Sequence, residues 1–434
     1  MKVSIKNLIA ILLLLSTYNS SYSQHKLELS GQFIPRLEQR HGYRTLAPEN
    51  SKSAVFISER LRLNFDYENK YIRLFASLQD VRVWGNEEQT KNLGSFGLHE
   101  GWAEIYIKKI ASVKLGRQEI SYDDNRLMGN LDWVQTARSH DALLLKFFPK
   151  NAQVHIGGAF NQSGENIIGT IYKLKNYKAL AYVWYNHEFD SARTTLSVYG
   201  VADGLPTTDS IPKTKFRFTF GPTATFKYNH FNGNIGFYIQ TGKHISDKTI
   251  LAFMANVYAE YTRPKWNLGV GYDYLSGQNN KKLSSNQYHS FHTLYPTNHK
   301  FYGHMDYFLD LPTDTRLGGL QDVYLRCNYK PKPKGMIGFD AHYFFTSTKV
   351  ANPAVSNAYF KMPLGFELDL YGSYKPFPFM EVKAGYSVMA ATSTMEYIKP
   401  TGSKKAYNGW SFVMLSLKPS FFKWSKEPNT ETIN

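Results

Sequence analysis

The segment VFISERLRLNFDY (55–67) alternates with period two. Val55, Ile57, Leu61, Leu63, Phe65 and Tyr67 share one face, and Arg60, Arg62, Asn64 and Asp66 share the other. Successive side chains of a strand point to opposite sides, so the pattern specifies a ribbon with one oily and one charged face. The pattern recurs: in LELSGQFIPRL (27–37), Leu27, Leu29, Phe33 and Leu37 oppose Glu28, Ser30, Gln32 and Arg36. Further on, Leu251, Phe253, Ala255, Val257, Ala259 and Tyr261 oppose Asn256, Tyr258 and Glu260, while Phe366, Leu368 and Leu370 oppose Glu367 and Asp369. Soluble sandwich strands average about five or six residues and hide their apolar face in a two-layer core. These ribbons run to roughly ten residues or more, enough to cross an outer membrane at a tilt.

Strands are predicted near 26–40, 54–67, 70–84, 99–108, 111–120, 138–148, 152–162, 178–187, 192–202, 214–229, 231–243, 249–262, 265–276, 319–330, 335–347, 364–375, 379–390 and 406–418. Short turns such as 68–70, 262–265 and 375–378 alternate with longer segments such as 41–53, 121–137, 277–318, 346–363 and 391–405. Only 243–248 is short where a long loop is due. The expected fold is all-β: a transmembrane antiparallel β-barrel of about 18 strands with short periplasmic turns and longer extracellular loops. An even strand number puts both termini on the periplasmic side.

Lys2 and Lys6, the apolar run Leu8 to Leu15 and the small polar residues up to Ser23 have the three parts of a secretory signal peptide. The expected organisation is therefore a signal peptide at 1–23 and a single barrel domain at 24–434, destined for the bacterial outer membrane. The apolar run is too short for the ~20 residues of a spanning helix. With Cys327 as the only cysteine, no internal disulfide can form. Aromatic residues make up 15% of the chain, with 31 Tyr and 29 Phe, a richness that suits girdles at membrane interfaces. The formal charge of +16 points to anionic partners, and export makes nucleic acid an unexpected one.

Arg36, Arg60, Arg62, Arg73, Arg117, Arg138, Arg217 and Arg326, with Lys114 and Lys383, fall on the charged face or its rims. Guanidinium stays charged and offers a planar fork suited to carboxylate or phosphate, and rings of such groups favour anions in a pore. The bland alternative is pairing with Glu59, Asp66, Glu104, Asp123, Asp141, Glu367 and Asp369 in networks that only hold the barrel in shape. Between two strands, the polar segment 121–137 is far longer than a hairpin needs. Its Asp123, Asp124, Arg126, Asp132 and Trp133 suit a loop folded inward across a channel, with Arg117 and Arg138 flanking the constriction.

The block LGRQEISYDDNRLMGNLDWVQTARSHDALLLKF (115–147) resembles the alginate export family of bacterial outer-membrane porins, and LYPTNHKFYGHMDYF (294–308) is similar to a segment of that family. The resemblance implies an 18-stranded barrel and passive passage of an anionic polyuronate through an arginine-lined constriction. Carried over by position, it implies roles for Arg117, Arg138 and Arg62, with Asp123 and Asp141 orienting the arginines; Arg60, Arg126 and Arg326 complete the candidate lining. The expected partners are anionic saccharides or small anions, outer-membrane lipid and periplasmic export proteins. A general anion-preferring porin is the rival within transport, and a barrel lipid hydrolase the rival outside it.

Other constellations carry less. His289, His292, His299 and His304 do not have the spacing of a zinc site, and the segment reads as a structured outer loop. No G-x-S-x-G elbow, phosphate loop or dinucleotide motif is present, so no enzyme, cofactor or metal is expected. Cys327 sits on the apolar face with Val323, Leu325 and Tyr329. The seven tryptophans are expected mostly at strand ends, in girdles.

Overall fold

The computed structural model describes residues 25–90, 96–169, 176–190, 193–207, 213–279 and 286–426. The expected signal peptide, 1–23, lies outside them. Among the described residues the barrel has 18 strands. These are His25–His41 (β1), Ala54–Glu68 (β2), Ile72–Val83 (β3), Gly97–Ile107 (β4), Ala111–Gln118 (β5), His140–Phe147 (β6), Ala152–Phe160 (β7), Ala179–Phe189 (β8) and Thr194–Pro206 (β9). They continue with Thr214–Tyr228 (β10), Phe231–Lys243 (β11), Thr249–Thr262 (β12), Trp266–Leu275 (β13), Leu320–Lys332 (β14), Gly335–Phe345 (β15), Pro363–Phe377 (β16) and Met380–Ala391 (β17). The last, β18, comprises Gly409–Leu417 and its continuation Ser420–Lys426.

Each strand pairs antiparallel with the next, and β18 returns to β1 through Phe33↔Leu417 to His41↔Gly409 and His25↔Lys426 to Ser30↔Ser420. Closure leaves no edge, which is what a wall in hydrocarbon needs, because an unpaired backbone group there has no water to bond. The seam is interrupted once, at Lys418 and Pro419. Proline cannot donate to the ladder, and the Gly31 amide bonds the Pro419 carbonyl at 2.9 Å across the gap.

The alternation read from sequence sets the two faces. Leu63, Leu74, Leu115, Leu143, Phe218, Leu251, Val270, Leu325 and Leu370 are exposed on the outside, as a lipid-facing wall requires. Cys327 shares the outward parity of Val323 and Leu325. Inside, Tyr182, Tyr324 and Tyr371 lie flat over Gly157, Gly271 and Gly338 on neighbouring strands, where a Cβ would come within 2.2 Å of the ring. The glycines thus make room for aromatic plates on a crowded inner wall.

Short connections at one end, such as 69–71, 108–110, 263–265, 333–334 and 378–379, face long ones at the other: 42–53, 119–139, 276–319, 346–362 and 392–408. The connection 244–248 is short, as read from the sequence. The longest connection contributes to the core of the molecule. Phe291, Leu294, Phe301, Tyr302, Met305, Tyr307, Phe308 and Leu311 are all buried, and each such side chain contributes roughly 1.5–3 kcal/mol when removed from water. The histidine-rich segment is therefore not an outer loop, as its polarity implied. Its apolar residues turn it into the barrel, where the Met305 amide bonds Glu367 at 2.8 Å and the Lys300 carbonyl accepts from Arg326 at 3.0 Å.

Candidate anion site inside the barrel

Period two on β1 to β3 turns Ile34, Arg36, Glu38, Ser58, Arg60, Arg62 and Gln79 inward. The connection 119–139 lies against this wall. Asp132 meets Arg60 at 2.8 Å and Arg62 at 3.8 Å. The Gln135 amide donates to the Ile34 carbonyl at 3.1 Å and to Ser58 Oγ at 3.2 Å. Arg36 donates to the Trp133 carbonyl at 2.7 Å, with its guanidinium 4.2 Å from the indole centroid. The opposite face of this local cluster is His299, stacked on Trp133 with centroids 4.0 Å apart and planes 10° from parallel.

Two buried guanidiniums on this wall keep donors in reserve. Arg60 is 1% exposed and Arg62 7%. Arg62 Nε donates to Gln79 at 2.9 Å, and Arg60 reaches the carbonyls of Asp132 and Gln135 at 3.3 and 3.4 Å. Even so, Arg60 Nε and Arg62 Nη2 are buried without a hydrogen-bond partner among the described residues. A buried donor without an acceptor costs about 1–3 kcal/mol, more when charged, so these two atoms are poised for an acceptor from outside the chain. Next to them a cavity of about 220 Å³ is lined by Arg36, Arg60, Lys383 and Lys418 against Asp132 and Glu381. The excess is cationic.

Most other arginines of the interior are held by carboxylates, Arg36 on Glu38 at 2.9 Å among them. Arg126 is clamped between Asp124 and Asp273, both at 2.7 Å, over the Phe301 ring at 4.1 Å. Arg217 holds Asp203 with two bonds of 2.6 and 3.0 Å, and Tyr295 adds a third to the same carboxylate at 3.2 Å. Arg326 pairs with Asp340 at 3.1 Å. Arg138 bonds only carbonyls, those of Pro296 at 2.8 Å and Gly129 at 3.3 Å, and burial pushes its guanidinium down to about 10. It ties the two inward connections together, beside the Met128↔Tyr295 bridge.

Several sequence expectations need correction. Arg117 and Asp141 do pair, at 3.3 Å, but on the outer wall: they are directly opposed in register and share the parity of the exposed Leu115 and Leu143. They do not flank the interior. The parity was legible in the predicted strands 111–120 and 138–148, but the motif resemblance set it aside and placed Arg117 at the rim of a constriction. Among the described residues Asp123 orients no arginine; it accepts from Trp184 Nε1 at 3.0 Å. Glu59 lies outside, accepting from Trp84 at 2.6 Å. Trp102, Trp133, Trp184 and Trp410 are interior residues and not girdle members, whereas Trp84, Trp266 and Trp424 are exposed. The sequence reading also missed Asp132 as the partner of Arg60 and Arg62, and Lys418 altogether. The period-two pattern could have placed neither, since one lies in a loop and the other at the seam.

His99, Glu100 and Glu119 bring their ligand-capable atoms within 4.8 Å of one another. The cluster is internally satisfied: His99 lies 2.9 Å from Glu119, Asn130 donates to Glu119 at 2.8 Å, and Glu100 accepts from the Glu119 amide at 2.9 Å. It pins the start of the inward connection to the β4 wall.

The closed barrel, its apolar exterior and its charged interior give the chain the architecture of outer-membrane porins. Residues 27–164 match a family model described as alginate export, so the resemblance read from the first block is borne out over that span. The second block, 294–308, lies outside it. No curated protein matches the chain. Solved structures share the fold across nearly the whole chain. OccAB1 of Acinetobacter baumannii is 12% identical with a TM-score of 0.62, covering 91% of this chain and 97% of its own. A BenF-like porin from Pseudomonas fluorescens Pf-5 is 9% identical with a TM-score of 0.60, covering 91% and 99%. OccK2 (OpdF) of Pseudomonas aeruginosa, solved in complex with glucuronate, is 8% identical with a TM-score of 0.57, covering 91% and 98%.

Proposed function

We propose that this chain is an outer-membrane channel for passive passage of carboxylated saccharides, of the alginate-like polyuronate class, along the arginine wall of β1 to β3. The observation that carries the reading is the pair of buried guanidiniums with unfilled donors, Arg60 and Arg62, beside a cavity whose other cations are Arg36, Lys383 and Lys418. A guanidinium fork matches a carboxylate in shape and charge, and several such sites in series hold a polyanion weakly enough to let it move on. The match of residues 27–164 to the alginate export model and the glucuronate complex of OccK2 support the same chemistry. In this reading residues 1–23 are removed on export, and a periplasmic export partner delivers polymer at the short-turn end.

The test is reversal potential in planar bilayers under a salt gradient, together with block by glucuronate and by glucose. An anion-preferring potential and block by glucuronate alone are expected. The double variant Arg60→Gln, Arg62→Gln loses both. A wild-type channel that prefers cations, or that glucose blocks equally well, overturns the reading.

A further inference from the structure

Resting on the channel reading above, we propose that Asp132 is a built-in surrogate for the cargo. Its carboxylate occupies the Arg60–Arg62 subsite when the channel is empty and yields it to an incoming carboxylate. Asp132 thereby sets how tightly the channel holds its cargo.

The geometry separates Asp132 from the other interior carboxylates. Asp203, Asp273 and Asp340 are strand residues with side chains 0 to 3% exposed, and strand register sets Asp203 opposite Arg217 and Asp340 opposite Arg326. Asp132 stands on the connection 119–139, with a side chain 45% exposed, against guanidinium side chains exposed only 1 and 9%. The arginines are walled in and the carboxylate is not. A single oxygen, Asp132 Oδ1, serves both, at 2.8 and 3.8 Å. That oxygen, with Glu119 standing 3.9 Å from Arg62 as a second, more distant carboxylate, does not fill the fork of two guanidiniums, and Arg60 Nε and Arg62 Nη2 remain unfilled.

The backbone around Asp132 is held on both sides. The Leu131 amide donates to Thr297 Oγ1 at 3.0 Å, the Trp133 carbonyl accepts from Arg36, and the Gln135 side chain is bonded to β1 and β2. Displacement therefore takes a rotation of the Asp132 side chain and leaves the loop in place. Cargo and surrogate are both carboxylates, so they compete for the same donors. Removing the surrogate's charge raises the pull of the site on an anion and leaves a neutral sugar indifferent.

The experiment compares wild type with Asp132→Asn and Asp132→Glu in planar bilayers, reading the glucuronate concentration that half-blocks the open channel, with glucose as the uncharged probe. Migration as a folded barrel on an unheated gel is checked first, and Asp132→Ser is the second neutral variant should Asp132→Asn not fold. The neutral variant is expected to lower the half-blocking concentration by about tenfold, the factor that one lost competing charge contact makes. Asp132→Glu returns it towards the wild-type value, and glucose stays without effect throughout. An unchanged half-blocking concentration, or an equal rise in glucose passage from a loosened loop, overturns the proposal. If Arg60→Gln with Arg62→Gln abolishes block while Asp132→Asn changes nothing, the surrogate falls and the anion site stands. If the double arginine variant is blocked like wild type, the channel reading itself falls.

Discussion

Two halves of the inner wall carry arginines and use them differently. On β13 to β16, Asp273, Asp322, Asp340, Glu367 and Asp369 are all buried, and Glu367 and Asp369 accept from the Met305 and His304 amides of the connection 276–319. The arginines that meet them are taken up by carboxylates, Arg126 by Asp124 and Asp273 and Arg326 by Asp340, and His342 lies against Asp322 at 2.9 Å. On β1 to β3 the inward Glu38 is taken by Arg36 and Arg40, so Arg60 and Arg62 rely on Asp132 and Glu119 of the connection 119–139 and keep spare donors. The same residue type is scaffold on one side and binding surface on the other. What decides is whether a strand-borne carboxylate sits in reach.

The largest effect that would break this contrast is on the acidic side. Arg126→Met leaves Asp273 buried without its cation, which typically costs about 3–5 kcal/mol. Lowered resistance to heat and denaturant in detergent is expected; unchanged resistance would mean that this half is not scaffold. Next, Arg60→Gln with Arg62→Gln should abolish anion preference in the reversal potential while leaving the melting temperature nearly as it was. Trp133→Ala removes a stack of the kind that contributes about 0.5–1.5 kcal/mol beyond its buried area. It is expected to loosen the connection 119–139, seen as faster proteolysis of that segment in the folded barrel. Arg117→Gln, on the outer wall, should leave the reversal potential unchanged, and a shift would return Arg117 to the lumen.

The smallest effect is that of pH. Burial alone would raise the Asp132 carboxyl, but Arg60 and Arg62 outweigh it and hold it below the ordinary carboxylate value. A depressed carboxyl keeps its contact above the ordinary value and loses it only as pH falls through the lowered one. Glucuronate block should therefore be nearly constant from pH 7 to about pH 5. A steep change across that range would show that Asp132 titrates there and is less firmly paired.

The barrel was legible because its signal is local. Every strand announces its two faces through residues such as Leu61, Leu63 and Arg62, and closure follows from an even count of long ribbons with no edge to spare. The interior was legible only on the strands. Arg60 and Arg62 follow from the parity of VFISERLRLNF, but their partner Asp132 comes from more than sixty positions away in a loop whose path no periodicity encodes. The inward fold of 286–319 was hidden for a different reason. Its histidines and prolines look like a solvated loop, while Phe291, Phe301, Tyr307 and Phe308, spaced irregularly, bury themselves by filling the tube. Arg117 misled because a motif suggested a role that the strand's own alternation contradicts: Leu115 and Leu143 point out, and so must Arg117 and Asp141.

The most direct measurement is an experimental structure of the mature chain with glucuronate bound. The sugar carboxylate is expected against Arg60 and Arg62, with the Asp132 side chain turned away and the Arg126, Arg217 and Arg326 pairs undisturbed. Glucuronate seated instead among the β13 to β16 carboxylates and their arginines, with Asp132 still on Arg60, would contradict the division of the wall.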